Sequence, residues 1–162
     1  MRWTKRGVIF AAKNDFEWMV SHASIPVVDE MNGDVLRICF GTRDKLGRSL
    51  PPYIEVEADD PKKILRIDDK PVLSLGKLGT FNDSGIMPSW IVSCNRRRYL
   101  YYIGWNRRAT VPYHLAIGPA MSTNGGENYR KYSEGPVLDR AVDEPYFKTA
   151  PCVIVDGSTW KM

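Results

Sequence analysis

The feature that most constrains this chain is the return of the same landmarks at intervals of sixty-odd residues. Pro88 follows Pro26 by 88 − 26 = 62 residues, Gly104 follows Gly41 by 104 − 41 = 63, and Pro151 follows Pro88 by 151 − 88 = 63. Each proline opens a short apolar run, and Gly41 and Gly104 each close an aromatic-aliphatic one. A chain with such a period is built from copies of one supersecondary unit, each covering its apolar face with the next. The units run approximately over residues 24–70, 87–135 and 150–162, the last incomplete, within a single domain spanning 1–162.

Within the units the apolar runs are short and punctuated by turns, which predicts an all-β protein. Val8 to Ala11 is expected as a short strand, and Ile25–Val28 and Val35–Phe40 as a hairpin around Met31-Asn32-Gly33-Asp34, where Asn-Gly signals a reversal. Tyr53, Glu55 and Glu57 alternate with Ile54, Val56 and Ala58, so Ser49 to Ala58 reads as a strand with one dry face, irregular where Pro51-Pro52 enters it. Ile64 to Ile67 is expected as the edge strand. In the second unit Trp90–Cys94 and Tyr99–Asn106 flank the basic corner Asn95-Arg96-Arg97-Arg98 as a second hairpin, followed by Tyr113 to Ala120 and the turn Thr123-Asn124-Gly125-Gly126. The third unit opens with Pro151 to Val155 and turns at Asp156-Gly157-Ser158.

Four strands in sixty-odd residues is the size of a propeller blade with long loops. The expected architecture is therefore a partial five-bladed β-propeller of four-stranded antiparallel sheets, about two and a half blades in this chain. Two bare blade faces would be left in water, so a homodimer that closes the ring is expected, with a fragment or a smaller sandwich as the competing reading.

Charge and cysteine bound the partners. The net charge is +4, and the massed base, Arg96 to Arg98 and Arg107-Arg108, falls at strand ends, where solvated corners account for it. Neighbouring Tyr and Trp residues admit a nucleic-acid surface, but no recognised motif accompanies them and none is expected to bind. No apolar run approaches the roughly 20 residues of a membrane span, and the N-terminus has no signal-peptide pattern. Cys39, Cys94 and Cys152 each fall within expected strands and read as buried reduced thiols of a cytoplasmic protein, without zinc-ligand spacing. The glycines of Gly47-Arg48-Ser49 and Thr123-Asn124-Gly125-Gly126 are turn formers, so neither a nucleotide cofactor nor a metal is expected.

Several segments carry a resemblance: Trp18 to Pro26, Gly41-Thr42-Arg43-Asp44 with Gly47-Arg48-Ser49, Pro71-Val72-Leu73, Gly79-Thr80-Phe81-Asn82-Asp83-Ser84-Gly85 with Met87-Pro88-Ser89, Tyr101 to Asn106, Gly135 to Arg140, and Glu144-Pro145. As a set they make the chain resemble the N-terminal half of the five-bladed β-propeller glycoside hydrolases, the group of arabinanases, β-xylosidases and invertase-like enzymes. That resemblance implies carboxylates at the inner ends of successive blades, a carbohydrate ligand on the axis, and possible hydrolysis of glycosidic bonds. Carried over by position, Asp83 is the axial carboxylate of the second blade and Glu144 the general acid. The corresponding stretch of the first blade, Ser21 to Pro26, has no carboxylate; Asp15 precedes it and Asp44 lies beyond the second strand.

The chemistry requires two carboxyl groups across the sugar, about 6.5 to 9.5 Å apart for inversion or about 5 to 5.5 Å for retention. Each candidate also has a plain structural reading. Asp83 can close an Asx-type turn, and Glu144, near Asp139, Arg140 and Asp143, can form a surface ion pair. His22 can donate to a sugar hydroxyl or bond within its loop, while His114 reads as core. Arg43 and Asp44 can clamp sugar hydroxyls or an acidic group, or pair at a strand end. Trp105 beside Asn106 is the candidate stacking platform, with packing between sheets as its alternative. The expected function is glycoside hydrolase-like, or alternatively that of a non-catalytic carbohydrate-binding or structural oligomer.

Overall fold

A computed structural model describes residues 2–31 and 33–162. The chain is all-β: β1 (Ser21–Met31), β2 (Val35–Arg43), β3 (Ser49–Leu50), β4 (Tyr53–Glu57), β5 (Ile64–Ile67), β6 (Gly85–Cys94), β7 (Arg97–Arg107), β8 (Tyr113–Ser122), β9 (Arg130–Lys131), β10 (Ile154–Asp156) and β11 (Thr159–Lys161). Antiparallel ladders join β1-β2-β4-β5 into one array and β6-β7-β8-β9 into a second. The two meet through a parallel contact of β3 with β6 at Ser49 and Gly85, making the sheet mixed. A separate hairpin, β10-β11, begins a third array. The arrangement among the described residues is open, with no closed ring.

Several local expectations are corrected. Val8 to Ala11 is not a strand; instead Phe10 lays its ring 5.3 Å from that of Phe40, covering one face of the first array. The strand expected over Ser49 to Ala58 is two, because Pro51 and Pro52 cannot donate to a ladder. This break lets β3 leave the line of β4 and reach β6. The second hairpin is longer than expected, since Gly85 to Ser89 already belongs to β6. Cys152 lies outside any strand and is exposed, whereas Cys39 is fully buried. Gly33 takes the left-handed φ of 70° that the first reversal requires, and Asn32 of that turn lies outside the described residues.

The alternation of β2 and β4 builds two cores, one on each face of the first array. Ile38, Phe40, Ile54 and Val56 meet the N-terminal arm through Phe10, Phe16, Trp18 and Met19. Cys39 and Tyr53 point the other way, onto Val72, Leu73, Phe81, Leu100, Tyr102 and Tyr129 at the second array. At each fully buried aromatic or aliphatic side chain the burial contributes about 1.5 to 3 kcal/mol, so these faces hold the arrays together.

Polar ties reinforce this interface. Arg37 on β2, almost wholly buried, donates to Glu55 at 2.9 Å and crosses to Glu127 at 2.6 Å and to the Gly125 carbonyl at 3.2 Å. Arg98 on β7 pairs with the buried Asp29 of β1, so one of the corner arginines is an internal tie. Burial pushes the Asp29 carboxyl above its ordinary range, with Arg98 opposing that shift. Tyr53 and Tyr129 join their hydroxyls at 3.1 Å, and burial pushes the Tyr129 phenol up to about 12.

Candidate functional site

Strand direction decides where a site can form. β1 starts, β2 ends, β6 starts, β7 ends and β8 starts at one end of the arrays, as shown by the pairings Ser21 with Arg43, Gly85 with Trp105, and Arg107 with Tyr113. The β2–β3 turn, the loop before β6 and the β7–β8 connection therefore converge there.

The loop before β6 is anchored by residues that cannot move independently. Phe81 and Asn82 are buried, and Asn82 Nδ2 donates to the Tyr102 hydroxyl at 3.1 Å. Gly104 leaves the space they need, since a Cβ there would lie 2.4 Å from the Phe81 ring and 2.7 Å from Asn82. The adjacent Asp83 is half-buried, and both of its oxygens accept from its own loop: Oδ2 from the Gly79 amide and Oδ1 from the Ser84 hydroxyl, each at 2.8 Å. Ser84 in turn ties this loop to β7 through its amide and the Trp105 carbonyl at 3.2 Å.

The turn after β2 is built on Asp44. Its Oδ1 accepts from the Leu46 and Arg48 amides at 2.9 and 2.8 Å, and its Oδ2 from Arg48 Nε at 2.8 Å. Burial alone would raise the Asp44 carboxyl, but these hydrogen bonds and the Arg48 charge hold it below its ordinary range. Arg43 donates to the Gly47 carbonyl at 2.7 Å and lies over the Trp105 ring, 4.8 Å from its centroid. Burial, and then the charge of Arg107, lower the Arg43 guanidinium from its ordinary value.

This placement changes the reading of Trp105. The side chain is only 7 % exposed and its Nε1 is buried without a partner, packed where Gly85 has no Cβ. It is a back wall rather than an open platform. Asn106, also buried, donates to the Thr80 carbonyl at 3.3 Å while its Oδ1 has no partner. The exposed aromatic at this end is Tyr113, the cross-strand partner of Arg107, which lines a groove of about 390 Å³ together with Arg43, Trp105 and Arg107.

His22 sits at this end too, exposed at the start of β1, with a left-handed φ of 67° and its Nδ1 2.9 Å from the Ser21 hydroxyl. Glu144 does not join the group. It is exposed on the loop before β10 and pairs with Lys148, although the contact of Tyr113 with Phe147, 6.3 Å between centroids, ties this loop to the groove wall.

Sequence reading passed over Tyr113 as a site residue and placed His114 in the core. His114 is buried, yet its Nε2 lies 2.7 Å from Asp139 Oδ1 beside a second groove lined by Arg108, Thr110 and Arg140. The pairing of Asn106 with His114 and Arg107 with Tyr113 brings both to this end. The short link between two aromatic strands was the available signal. Among the described residues no three metal-ligating side chains gather, and no helix is long and apolar enough to cross a membrane.

No family profile matches the chain. It is 38% identical over all 162 residues to uncharacterized protein MT1551 of Mycobacterium tuberculosis (strain CDC 1551 / Oshkosh) and to uncharacterized protein Rv1502 of the H37Rv strain, and spans 54% of the length of each. Among solved structures it resembles a glycosyl hydrolase from Bacteroides ovatus with a TM-score of 0.64 and 17% identity, over 90% of this chain and 44% of that one. It also resembles a structure from work on the GH130 family of mannoside phosphorylases, which contains glycoside hydrolases that target β-1,2 mannosidic linkages in Candida mannan. There the TM-score is 0.59 at 18% identity, over 82% of this chain and 36% of that one. The chain thus shares its fold with part of several glycoside-hydrolase structures.

Proposed function

We propose that the chain is a glycoside hydrolase-like protein with a saccharide site at the converged end of its two arrays. The observation that carries this reading is the Arg43 guanidinium held over Trp105 on the wall of a groove of about 390 Å³, within the size range of small-ligand sites. The shared fold supports the same reading. In it the arrays are blades of a five-bladed ring, the groove opens toward the axis, and a second copy of the chain covers apolar residues left bare, among them Val137 and Leu138 beside β8 and Ile154 on β10.

Asp83 and Glu144 are the proposed catalytic carboxylates, Glu144 as acid, with His22, Arg43, Asp44, Trp105 and Asn106 forming or bracing the sugar site. For catalysis Glu144 must exchange Lys148 for the leaving-group oxygen, a change its exposed loop allows. Hydrolysis of a panel of chromogenic glycosides tests this: the wild type is expected to turn over at least one, and D83N and E144Q each to lose about 100-fold or more. Absence of turnover above buffer in the wild type removes hydrolysis.

The alternative is a non-catalytic carbohydrate binder. The occupation of both Asp83 oxygens by the Gly79 amide and Ser84 hydroxyl favours it, because a carboxylate so engaged is bracing its own loop. Binding of a glycoside without turnover selects that reading.

A further inference from the structure

The groove behind Tyr113 has an unusual polar lining for a site that takes neutral sugars. Among the described residues its charged groups are two guanidinia, Arg43 and Arg107, and no carboxylate lines it. Both donate to carbonyls of one turn, Arg43 to Gly47 at 2.7 Å and Arg107 to Leu46 at 2.8 Å. The carboxylate of that turn, Asp44, is committed to two amides and to Arg48. The two cations are therefore fixed side by side with donors to spare. Burial first, and then the charge of Arg107, lower the Arg43 guanidinium from its ordinary value.

Guanidinium forks match the paired oxygens of carboxylate and phosphate, and hydrogen bonds between ions are about twice as strong as neutral ones. The remaining lining, Met87, Trp105, Tyr113 and Leu115, offers apolar and aromatic surface against which the C–H face of a pyranose fits. We infer that this groove binds a saccharide bearing an anionic substituent, a carboxylate or a phosphate monoester, with the anion between Arg43 and Arg107 and the ring against Trp105 and Tyr113. The inference rests on the saccharide reading above and adds the charge of the ligand to it.

Titration calorimetry on the intact chain tests it with matched sets: glucose, galactose and mannose, their uronates, their 6-phosphates, and inorganic phosphate. At least one uronate or 6-phosphate is expected to bind about tenfold or more tighter than its neutral parent, and which set does so identifies the substituent. R107Q is expected to remove the difference in affinity between the anionic sugar and its neutral parent, and R107K to restore part of it. Equal binding of neutral and anionic members overturns the inference but leaves a saccharide site. Inorganic phosphate binding as tightly as the sugar phosphates, or an unchanged preference in R107Q, also overturns it. If no member of any set binds, the saccharide reading falls with it.

Discussion

At the scale of single residues, Asp44 shows how a strand end becomes a rigid part of a site. A buried carboxylate accepting two amides and a guanidinium closes the turn that carries the carbonyls holding Arg43 and Arg107. Because its folded value is depressed, its contribution to stability is full above the ordinary aspartate value of 3.8 and is lost as pH falls through the lowered one. D44N is expected to lose about 1 to 3 kcal/mol at neutral pH, and its deficit against wild type to close on acidification, as read by urea denaturation across a pH series. The sign is specific to this residue: Asp29 has a raised value, so its contribution is present below 3.8 and fades as pH rises through the folded value. Arg43, Asp44, Trp105 and Asn106 could be named from the sequence because a polar cluster at the end of an apolar run marks a strand end. The orientation of Trp105 could not, since it depends on Gly85 lying beside it in the adjacent strand.

At the scale of strands, alternation made most of the ladders legible, and the proline pair in the third run pointed to an irregular strand. What local pattern does not encode is the parallel contact of Ser49 with Gly85, a pairing between distant segments, or the two-residue β9. The joint between the arrays was equally hidden, because Arg37 finds Glu127 across ninety positions of sequence. Removing one partner of a buried ion pair leaves an uncompensated charge. Arg37 is buried, but Glu55 and Glu127 keep 20% and 43% of their side chains exposed, so water screens the charges left behind and R37M is expected to lose about 1 to 3 kcal/mol in equilibrium unfolding, still more than removal of the exposed Lys45 that pairs with Glu17.

For the molecule as a whole, the repeat provides its own control. Pro71-Val72-Leu73 recurs as Pro136-Val137-Leu138, yet Leu73 is 4% exposed and Leu138 38% exposed, because the first copy is covered by the second array. L73A is expected to destabilise by about 2 to 5 kcal/mol at every protein concentration. If a second copy covers the later segment, L138A leaves the dilute protein nearly unchanged and shifts sedimentation equilibrium toward monomer; a wild type that sediments as monomer at micromolar concentration removes the dimer. A different consequence follows from the seat of Phe81, which lies against Gly104 of β7 and Gly118 of β8. That seat requires both strands in place, so the order of the loop bearing Asp83 is coupled to the β7–β8 ladder: a side chain added at Gly118 is expected to loosen that loop along with the strand pair, as read by amide hydrogen exchange.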